Sequence, residues 1–403
     1  MVTSSGSRVA SKSAWWPTTG RPTHAVIDLD AIHDNVRAVR HAVAPAAVIA
    51  VVKANAYGHG AVMVAEAAVE AGATMLAVST VDEGIELRDG GITADILVMA
   101  PAGATEYEDA FRHRLTISIA EPAQVDLAAA AAQTLQTIGL LQIKVDTGMR
   151  RYGAEPGDVL GLARRINDRD ALCLTGIYTH FADSDGPNLS FAEDQLSRFQ
   201  SSVADLEVAG IEPGLVHCAN TAAIHRISSS GERAVRLGIG LCGLRPDDTV
   251  PLLPGMRQAL TLRTRVAQVR KIGPGDTVSY GRTYAAARSE TVALLPIGYA
   301  DGLRRAVSSV GWVSVNGARA PIRGRVCMDQ VVVGDCDDSV RVGDPVVVLG
   351  DGSDLAPTMS DVASQVSTIA YEIATGIAQR VPRWYLRDGQ PVAMLRSSRL
   401  IRL

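Results

Sequence analysis

The sequence predicts an α/β protein in which a (β/α)8, TIM-like barrel is followed by a second, mostly β domain. Between Ala46 and Gly243, eight short apolar runs alternate with helix-like segments. These runs are continuously apolar, which is typical of strands that are buried on both faces of a parallel sheet. After Pro254, apolar runs follow one another across turns that contain Gly, Pro and Asp, which favours a mainly antiparallel arrangement.

The eight runs are the basis of the barrel prediction, because strands that alternate with helices form parallel βα units and eight units close naturally into a barrel. An open doubly wound sheet is the alternative, but no glycine fingerprint for a dinucleotide follows the first run. The runs are, in order, AVIAVVK, TMLAVST, DILVMA, LTISIA, LLQIKVD, LTGIYTHF, GLVHCAN and AVRLGIGLCG.

Three segments are predicted along the chain. Residues 1–22 are Ser-rich, contain no apolar stretch long enough for a signal peptide, and are expected to be a disordered tail that the fold does not need. Residues 23–254 are assigned to the barrel and residues 255–403 to the β-rich domain, with one late helical piece. The segment THAVIDLD precedes the barrel pattern, and the sequence leaves open which domain it joins.

Composition excludes several classes of protein. Of the 403 residues, 47% are hydrophobic and 20% are charged, with 39 basic and 43 acidic residues, as in an ordinary globular enzyme of two domains. The sequence has no basic stripe, so a nucleic-acid partner is not expected. No apolar run is long enough for a membrane span. The five scattered cysteines predict free thiols in a reducing cytoplasm and no metal site.

Reactive side chains follow the ends of the predicted barrel strands, where barrel enzymes carry their active sites. Because all of these residues would lie at the same end of the barrel, they support both the barrel prediction and a functional site at its mouth. The residues are Lys53, Lys144, Asp146, Arg151, His180, Asn220, Thr221, Arg236 and Gly238.

Lys53 is the strongest single candidate. A lysine at a strand end usually reaches to water, but a partly desolvated one is a nucleophile that forms Schiff bases, and the turn NAYGHG that follows favours the second interpretation. Thr221 offers a hydroxyl, and Gly238 and Ile239 offer backbone N–H groups, to an anion. The same glycines also suit tight packing, so this pattern is weak evidence alone.

Together these segments resemble the bacterial alanine racemase family, from about Thr23 to the end of the chain. The resemblance is specific because its motifs occur in the same order across both domains. They are VVKANAYGHG, KVDTGMRRYG, YTHFADSD, HCANTAA, VRLGIGLCGLRP, VSYGRTY, PIGYADG, GRVCMDQ and AYEIATG with IAQRVPR. Arg150 stands where the family commonly has Gly, which leaves open which arginine is functional, and Thr221 stands where Ser is common.

The resemblance implies pyridoxal 5'-phosphate as the cofactor, bound covalently at Lys53. Arg236 would face the pyridine nitrogen, and His180 would lie against the ring and orient Arg236. The phosphate would be held by Tyr57, Tyr371, Thr221, Gly238 and Ile239, and Asn220 completes the expected cofactor-binding set.

The resemblance also implies a homodimer with shared active sites, in which each β domain completes the partner's barrel. Tyr280 would be the second catalytic base beside Lys53. Arg151, Met328 and Tyr299 would contact the substrate, and Lys144 would be carbamylated and position Arg151.

The implied reaction is the interconversion of L- and D-alanine by two-base proton transfer at Cα, which supplies D-alanine for peptidoglycan. An arginine at the ring nitrogen suits this reaction, because it cannot accept a proton and keeps the carbanion short-lived. Three alternatives remain: a racemase of another or broader specificity, a decarboxylase, which would need an acid in place of Arg236, and a non-catalytic pyridoxal-phosphate carrier, which resembles the barrel alone.

Overall fold

The computed structural model describes residues 16–17, 20–227 and 232–403. Most of the predicted disordered tail, 1–22, lies outside these ranges, but five of its residues are described, and two of these contact the C-terminal part of the chain. The Trp16 ring lies 4.5 Å from the guanidinium of Arg265, and Arg21 Nη1 donates to Asp301 Oδ1 at 2.6 Å. The expected disorder therefore does not extend to Trp16 and Arg21.

Eight parallel strands form a closed barrel, which confirms the predicted fold class. Each strand coincides with one of the eight apolar runs, and the last strand pairs with the first through Ala47 and Ala234. Numbered in chain order after strand β1 (His24–Asp28), the barrel strands are β2 (Ala47–Val51), β3 (Met75–Val78), β4 (Asp95–Val98), β5 (Thr116–Ile119), β6 (Gly139–Lys144), β7 (Leu172–Tyr178), β8 (Leu215–His217) and β9 (Ala234–Leu237).

Helices cover the outside of the barrel and bury their apolar faces against it. Strand residues such as Ile49, Leu76 and Ile117 have no exposed surface, because they are covered from the helical side or from the barrel interior. The helices are α1 (Leu29–Val43), the short turn α2 (Lys53–Tyr57), α3 (Ala61–Glu70), α4 (Val81–Asp89), α5 (Tyr107–Arg112), α6 (Pro122–Leu135), α7 (Val159–Asn167), α8 (Ser190–Val208) and α9 (Thr221–Arg226).

The rest of the chain forms the predicted β-rich part. Its strands are β10 (Leu260–Arg265), β11 (Gln268–Ile272), β12 (Thr277–Val278), β13 (Tyr284–Ala285), β14 (Glu290–Leu295), β15 (Trp312–Val315), β16 (Ala318–Pro321), β17 (Val331–Cys336), β18 (Pro345–Leu349), β19 (Arg383–Arg387), β20 (Gln390–Arg396) and β21 (Arg399–Arg402), with helices α10 (Met359–Gln365) and α11 (Ala370–Thr375). Together with β1, seven of them form an eight-stranded sheet with the order β16-β15-β18-β10-β1-β19-β20-β21, and smaller sheets have the orders β11-β14-β17 and β12-β13.

Strand β1 decides the open question about THAVIDLD and corrects the range 23–254 assigned to the barrel. Ala25 pairs with Leu262 of β10 on one side and with Arg383 of β19 on the other. The chain therefore starts in the large sheet of the second domain and enters the barrel through α1. Sequence could not show this, because a short strand buried on both faces has the same pattern in either sheet.

All five cysteines are free thiols, as predicted. Within the described ranges, none of the helices combines the length and the apolar character that crossing a bilayer requires.

Candidate active site

The mouth of the barrel opens into a cavity of about 510 Å³, a volume suited to a small molecule. Eleven residues proposed from the sequence line it, ten from the barrel part of the chain and one from α11. They are Lys53, Tyr57, Lys144, Arg151, His180, Asn220, Thr221, Arg236, Gly238, Ile239 and Tyr371.

Lys53 stands at the end of β2, where the chain enters a turn of left-handed helix. The four residues from Ala54 to Tyr57 have φ between 50° and 54°, a conformation that costs roughly 1–2 kcal/mol for each non-glycine residue. Backbone hydrogen bonds hold the turn, with Gly58 N donating to Ala54 O at 3.0 Å and Gly60 N donating to Asn55 O at 2.9 Å. The turn directs both Lys53 and Tyr57 into the cavity.

Burial lowers the pKa of the Lys53 amine, and the positive charge of Arg151 lowers it further. A lower pKa leaves a larger fraction of the amine unprotonated near neutral pH. The unprotonated amine is the form that attacks a carbonyl group.

A buried hydrogen-bond network surrounds Arg236 on the floor of the cavity. Its Nη1 lies 2.8 Å from Nδ1 of His217, and its Nη2 lies 3.1 Å from Nδ1 of His180. Nη2 also donates to the carbonyl oxygens of Thr179 at 2.6 Å and Cys218 at 2.9 Å. A guanidinium only donates, so both imidazole Nδ1 atoms must be acceptors.

Both of these histidines are held in the neutral form. Burial, followed by the charge of Arg236, lowers the pKa of His180 and of His217 well below the usual range. Nε2 of His217 lies 2.9 Å from Oε1 of Gln142, to which it donates. His217 also stacks on Tyr178, with ring centroids 4.9 Å apart and an interplanar angle of 5°.

His217 and Gln142 were not found from the sequence. His217 lies within the run GLVHCAN and Gln142 within LLQIKVD, where each resembles an ordinary interior polar residue. A buried glutamine on β6 and a buried histidine on β8 are the available signal, but their contact becomes visible only once β6, β7 and β8 are placed side by side.

A second group of polar atoms, here called the cradle, lies at the ends of β8 and β9 and consists of the Thr221 hydroxyl and the backbone at Gly238 and Gly240. Thr221 Oγ1 accepts from the N–H groups of Gly238 at 3.0 Å and Gly240 at 3.3 Å. A Cβ at Gly238 would lie 3.0 Å from the Tyr57 hydroxyl, so a side chain there would close the cradle. The Tyr371 ring meets that of Tyr57 edge to face, 6.0 Å away.

Asn220 lines the cavity, but its side-chain oxygen also has a structural task. Oδ1 accepts from the backbone N–H of Ala223 at 3.0 Å and caps α9. The same oxygen accepts from the hydroxyl of Ser184 at 2.9 Å. These bonds fix the start of the helix that carries Thr221.

The structure separates the two adjacent arginines. Arg150 is exposed and pairs with Glu155 outside the cavity, whereas Arg151 lines it. Lys144 is buried beside Arg151, with its Nζ 5.0 Å from the centroid of the Tyr152 ring. Burial and then the charge of Arg151 lower the pKa of Lys144 to about 8.

Tyr280, Tyr299 and Met328 do not line this cavity. Their exposed fractions are 73%, 42% and 52%. They nevertheless belong to adjoining loops, because Tyr299 N donates to Cys327 O at 3.0 Å and Ser279 Oγ lies 3.3 Å from Cys327 Sγ. The β-rich part thus carries the three exposed side chains on adjoining loops.

The class of protein follows from this arrangement: a barrel enzyme whose mouth joins a desolvated lysine, a buried arginine and the cradle at Gly238 in one cavity. The family model described as alanine racemase, N-terminal domain, matches residues 27–246, and the model described as alanine racemase, C-terminal domain, matches residues 259–385. The chain belongs to the alanine racemase family, whose members are isomerases.

Individual relatives cover nearly the whole chain. An alanine racemase of Symbiobacterium thermophilum is 40% identical over 366 residues, which are 91% of this chain and 97% of that protein. The structure of an alanine racemase from Clostridium difficile aligns with a TM-score of 0.90 at 32% identity, covering 94% of this chain and 100% of that one. The crystal structure of alanine racemase from Bacillus anthracis with bound L-Ala-P aligns with a TM-score of 0.88 at 37% identity, covering 96% of this chain and 99% of that one.

Proposed function

We propose that this protein interconverts L- and D-alanine with pyridoxal 5'-phosphate as its cofactor. The observation that carries the proposal is that Lys53, Arg236 and the cradle around Gly238 face one cavity. A desolvated amine fits the cofactor's aldehyde. The Thr221 hydroxyl fits its phosphate, because its oxygen accepts from the N–H groups of Gly238 and Gly240 and its proton is left to donate to an anion. The clearance that Gly238 leaves beside Tyr57 fits a group that approaches the backbone closely.

When bound, pyridoxal phosphate supplies an electron-accepting ring that makes the α-proton of alanine acidic. Arg236 would face the ring nitrogen as a hydrogen-bond donor, and its guanidinium has no atom that could accept a proton. Its two imidazole partners accept from it and are neutral, so they do not supply a proton to that end of the ring. This limits how far charge is drawn away from Cα and favours rapid return of a proton.

A racemase needs a proton acceptor on each face of the substrate. Lys53 serves one face in this proposal, and Tyr280 serves the other. Because Tyr280, Tyr299 and Met328 are exposed and lie outside the cavity of their own chain, they suit a homodimer in which they complete the barrel of the partner subunit. Two equivalent sites then arise from the two-fold symmetry.

Arg151 would bind the substrate carboxylate and a carbamate on Lys144 would orient it. Lys144 fits this modification because its amine is buried and its pKa is lowered to about 8, which favours the unprotonated form that reacts with carbon dioxide. The carbamate would replace a positive charge beside Arg151 with a negative one. A covalent mass increase on the Lys144 peptide, found in native-state spectra and lost on acidification, would support the modification.

The product would be D-alanine for peptidoglycan, made in the cytoplasm. The test is incubation of the purified chain and pyridoxal phosphate with L-alanine in deuterated water. Loss of optical rotation together with deuterium at Cα is expected. Release of carbon dioxide would indicate a decarboxylase, faster turnover of other amino acids a broader racemase, and no exchange a carrier protein. Borohydride reduction should place the cofactor on Lys53, and an adduct on Lys144 would contradict the assignment.

A further inference from the structure

Glu83, in the first turn of α4, joins the turn that follows Lys53 to the neighbouring strand of the barrel. Its Oε1 accepts from the backbone N–H of Ala54 at 2.7 Å. Its Oε2 accepts from the N–H groups of Ser79 at 2.7 Å and Thr80 at 3.2 Å, directly after β3. One carboxylate therefore bridges the C-terminal ends of β2 and β3 at the mouth of the cavity.

The bond to Ala54 acts on the backbone of Lys53 itself. The N–H of Ala54 belongs to the peptide group that Lys53 forms with the next residue, so its orientation fixes that of the Lys53 Cα. The left-handed residues that follow are individually unfavourable, and a strained segment persists only where its surroundings hold it. Glu83 supplies a charge-assisted hydrogen bond at the start of that segment.

The carboxylate also balances the charges around the lysine. The positive charges of Arg151 and Arg236 lower the pKa of the Lys53 amine, whereas the negative charge of Glu83 raises it. Position and charge thus come from the same side chain.

We infer that Glu83 is a positioning residue for Lys53: its carboxylate clamps the Lys53–Ala54 peptide to the end of β3 and sets a negative charge beside the lysine. This inference rests on the proposed function, because the placement of Lys53 affects turnover only if Lys53 carries the cofactor. Glu83 itself does not line the cavity, so it acts through Lys53.

The chain is well suited to a direct test, because its only lysines are Lys12, Lys53, Lys144 and Lys271. Trace reductive methylation of the full-length, cofactor-free chain is carried out at a series of pH values. Peptide mass mapping then gives, for each lysine, the pH at which its labelling is half-maximal, here called its midpoint. Lys271 is 73% exposed in its side chain and provides an internal reference. Glu83→Gln should move the Lys53 midpoint to lower pH and leave that of Lys271 unchanged. Asp82→Asn, which removes the same charge from an exposed neighbour in the same helical turn, should move neither.

Measurements of turnover distinguish the effect of Glu83 on the position of Lys53 from its effect on the charge around Lys53. In the enzyme supplied with pyridoxal phosphate, Glu83→Gln should lower kcat by about tenfold, since small misplacements of a reacting group are costly, and should change KM for alanine less than twofold. Glu83→Asp keeps the charge but is too short to hold both strand ends, so it should lower kcat while keeping the Lys53 midpoint near that of the wild type. Glu83→Asp also tests the positioning role if Glu83→Gln fails to fold.

The inference is overturned if Glu83→Gln has the same Lys53 midpoint as the wild type and the same turnover as Asp82→Asn. Failure of the proposed function looks different: borohydride would then leave no cofactor on Lys53 of the wild-type enzyme, whatever the labelling midpoints of the variants.

Discussion

Nη1 of Arg236 lies 2.8 Å from Nδ1 of His217, and both side chains are buried. Because the guanidinium can only donate, this contact requires a neutral imidazole whose proton is on Nε2, and Gln142 Oε1 lies 2.9 Å from that nitrogen. The pair therefore fixes the tautomer of the histidine and the direction of the arginine together.

His217→Ala should lower the free energy of unfolding by about 2–4 kcal/mol, since it leaves Gln142 and part of Arg236 with unmet hydrogen bonds and removes a stacked ring. Urea unfolding at pH 7.5 measures the change. The matched control is His41→Ala, at an exposed position in the last turn of α1, which should cost less than about 0.5 kcal/mol. Equal losses in the two variants would contradict the structural role of His217.

Stability should fall on mild acidification because of buried neutral histidines. Burial lowers the pKa of His24 and of His59 to about 4, against about 6.5 in the unfolded chain. The neutral form is favoured in the folded state, so the stability is complete above pH 6.5 and is lost as the pH falls toward 4. At pH 5 each histidine should cost up to about 2 kcal/mol relative to pH 7.5.

Unfolding midpoints in urea between pH 7.5 and 5 measure this dependence, in a window above the range in which most carboxylates titrate. His59→Gln should show a shallower loss than the wild type, and His41→Gln should keep the wild-type slope. A wild-type midpoint that does not change between pH 7.5 and 5 would show that these side chains do not stay neutral in the fold.

Gly60 should not tolerate a side chain. Its φ is +102°, and a Cβ would lie 1.7 Å from the hydroxyl of Tyr385. Gly60→Ala should therefore destabilise the protein by more than about 3 kcal/mol and reduce occupancy of the adjoining Lys53 turn. Gly161→Ala is the control, because Gly161 is an exposed position of helix α7 where a Cβ meets nothing within 4 Å. This substitution should stabilise the protein by about 0.5–1 kcal/mol. Thermal unfolding of both variants distinguishes the outcomes.

The barrel could be predicted because all eight of its strands are short apolar runs and helix-like segments lie between several of them. Strand β1 could not be placed, since its pairing with β10 and β19 joins residues that are far apart in sequence. The side chains that follow barrel strands, such as Lys53, were predicted because active sites of barrel enzymes lie at the C-terminal ends of the strands, whereas Tyr371 was predicted only through the family resemblance. His217 and Glu83 were missed because their significance depends on partners in other strands, Arg236 and the Lys53–Ala54 peptide, and the sequence around Glu83 shows only a helix capping pattern.

The final prediction concerns the division of the active site between two chains. Lys53 lines the barrel cavity, whereas Tyr280 is 73% exposed on the β-rich part of the same chain. If each chain completes the partner subunit's barrel, Lys53→Ala and Tyr280→Phe should each be nearly inactive alone. Unfolded together and refolded as an equal mixture, they should form heterodimers in which one site has both wild-type residues and the other has both substitutions.

Random pairing makes half of the dimers mixed, and each mixed dimer has one of its two sites intact, so about a quarter of wild-type activity should return. Refolding each variant alone is the control for residual activity, and native mass spectrometry shows that heterodimers have formed. In a site built from a single chain, every site would keep one of the two lesions. Demonstrable heterodimers without recovered activity would therefore assign Lys53 and Tyr280 to the same subunit and rule out the shared site.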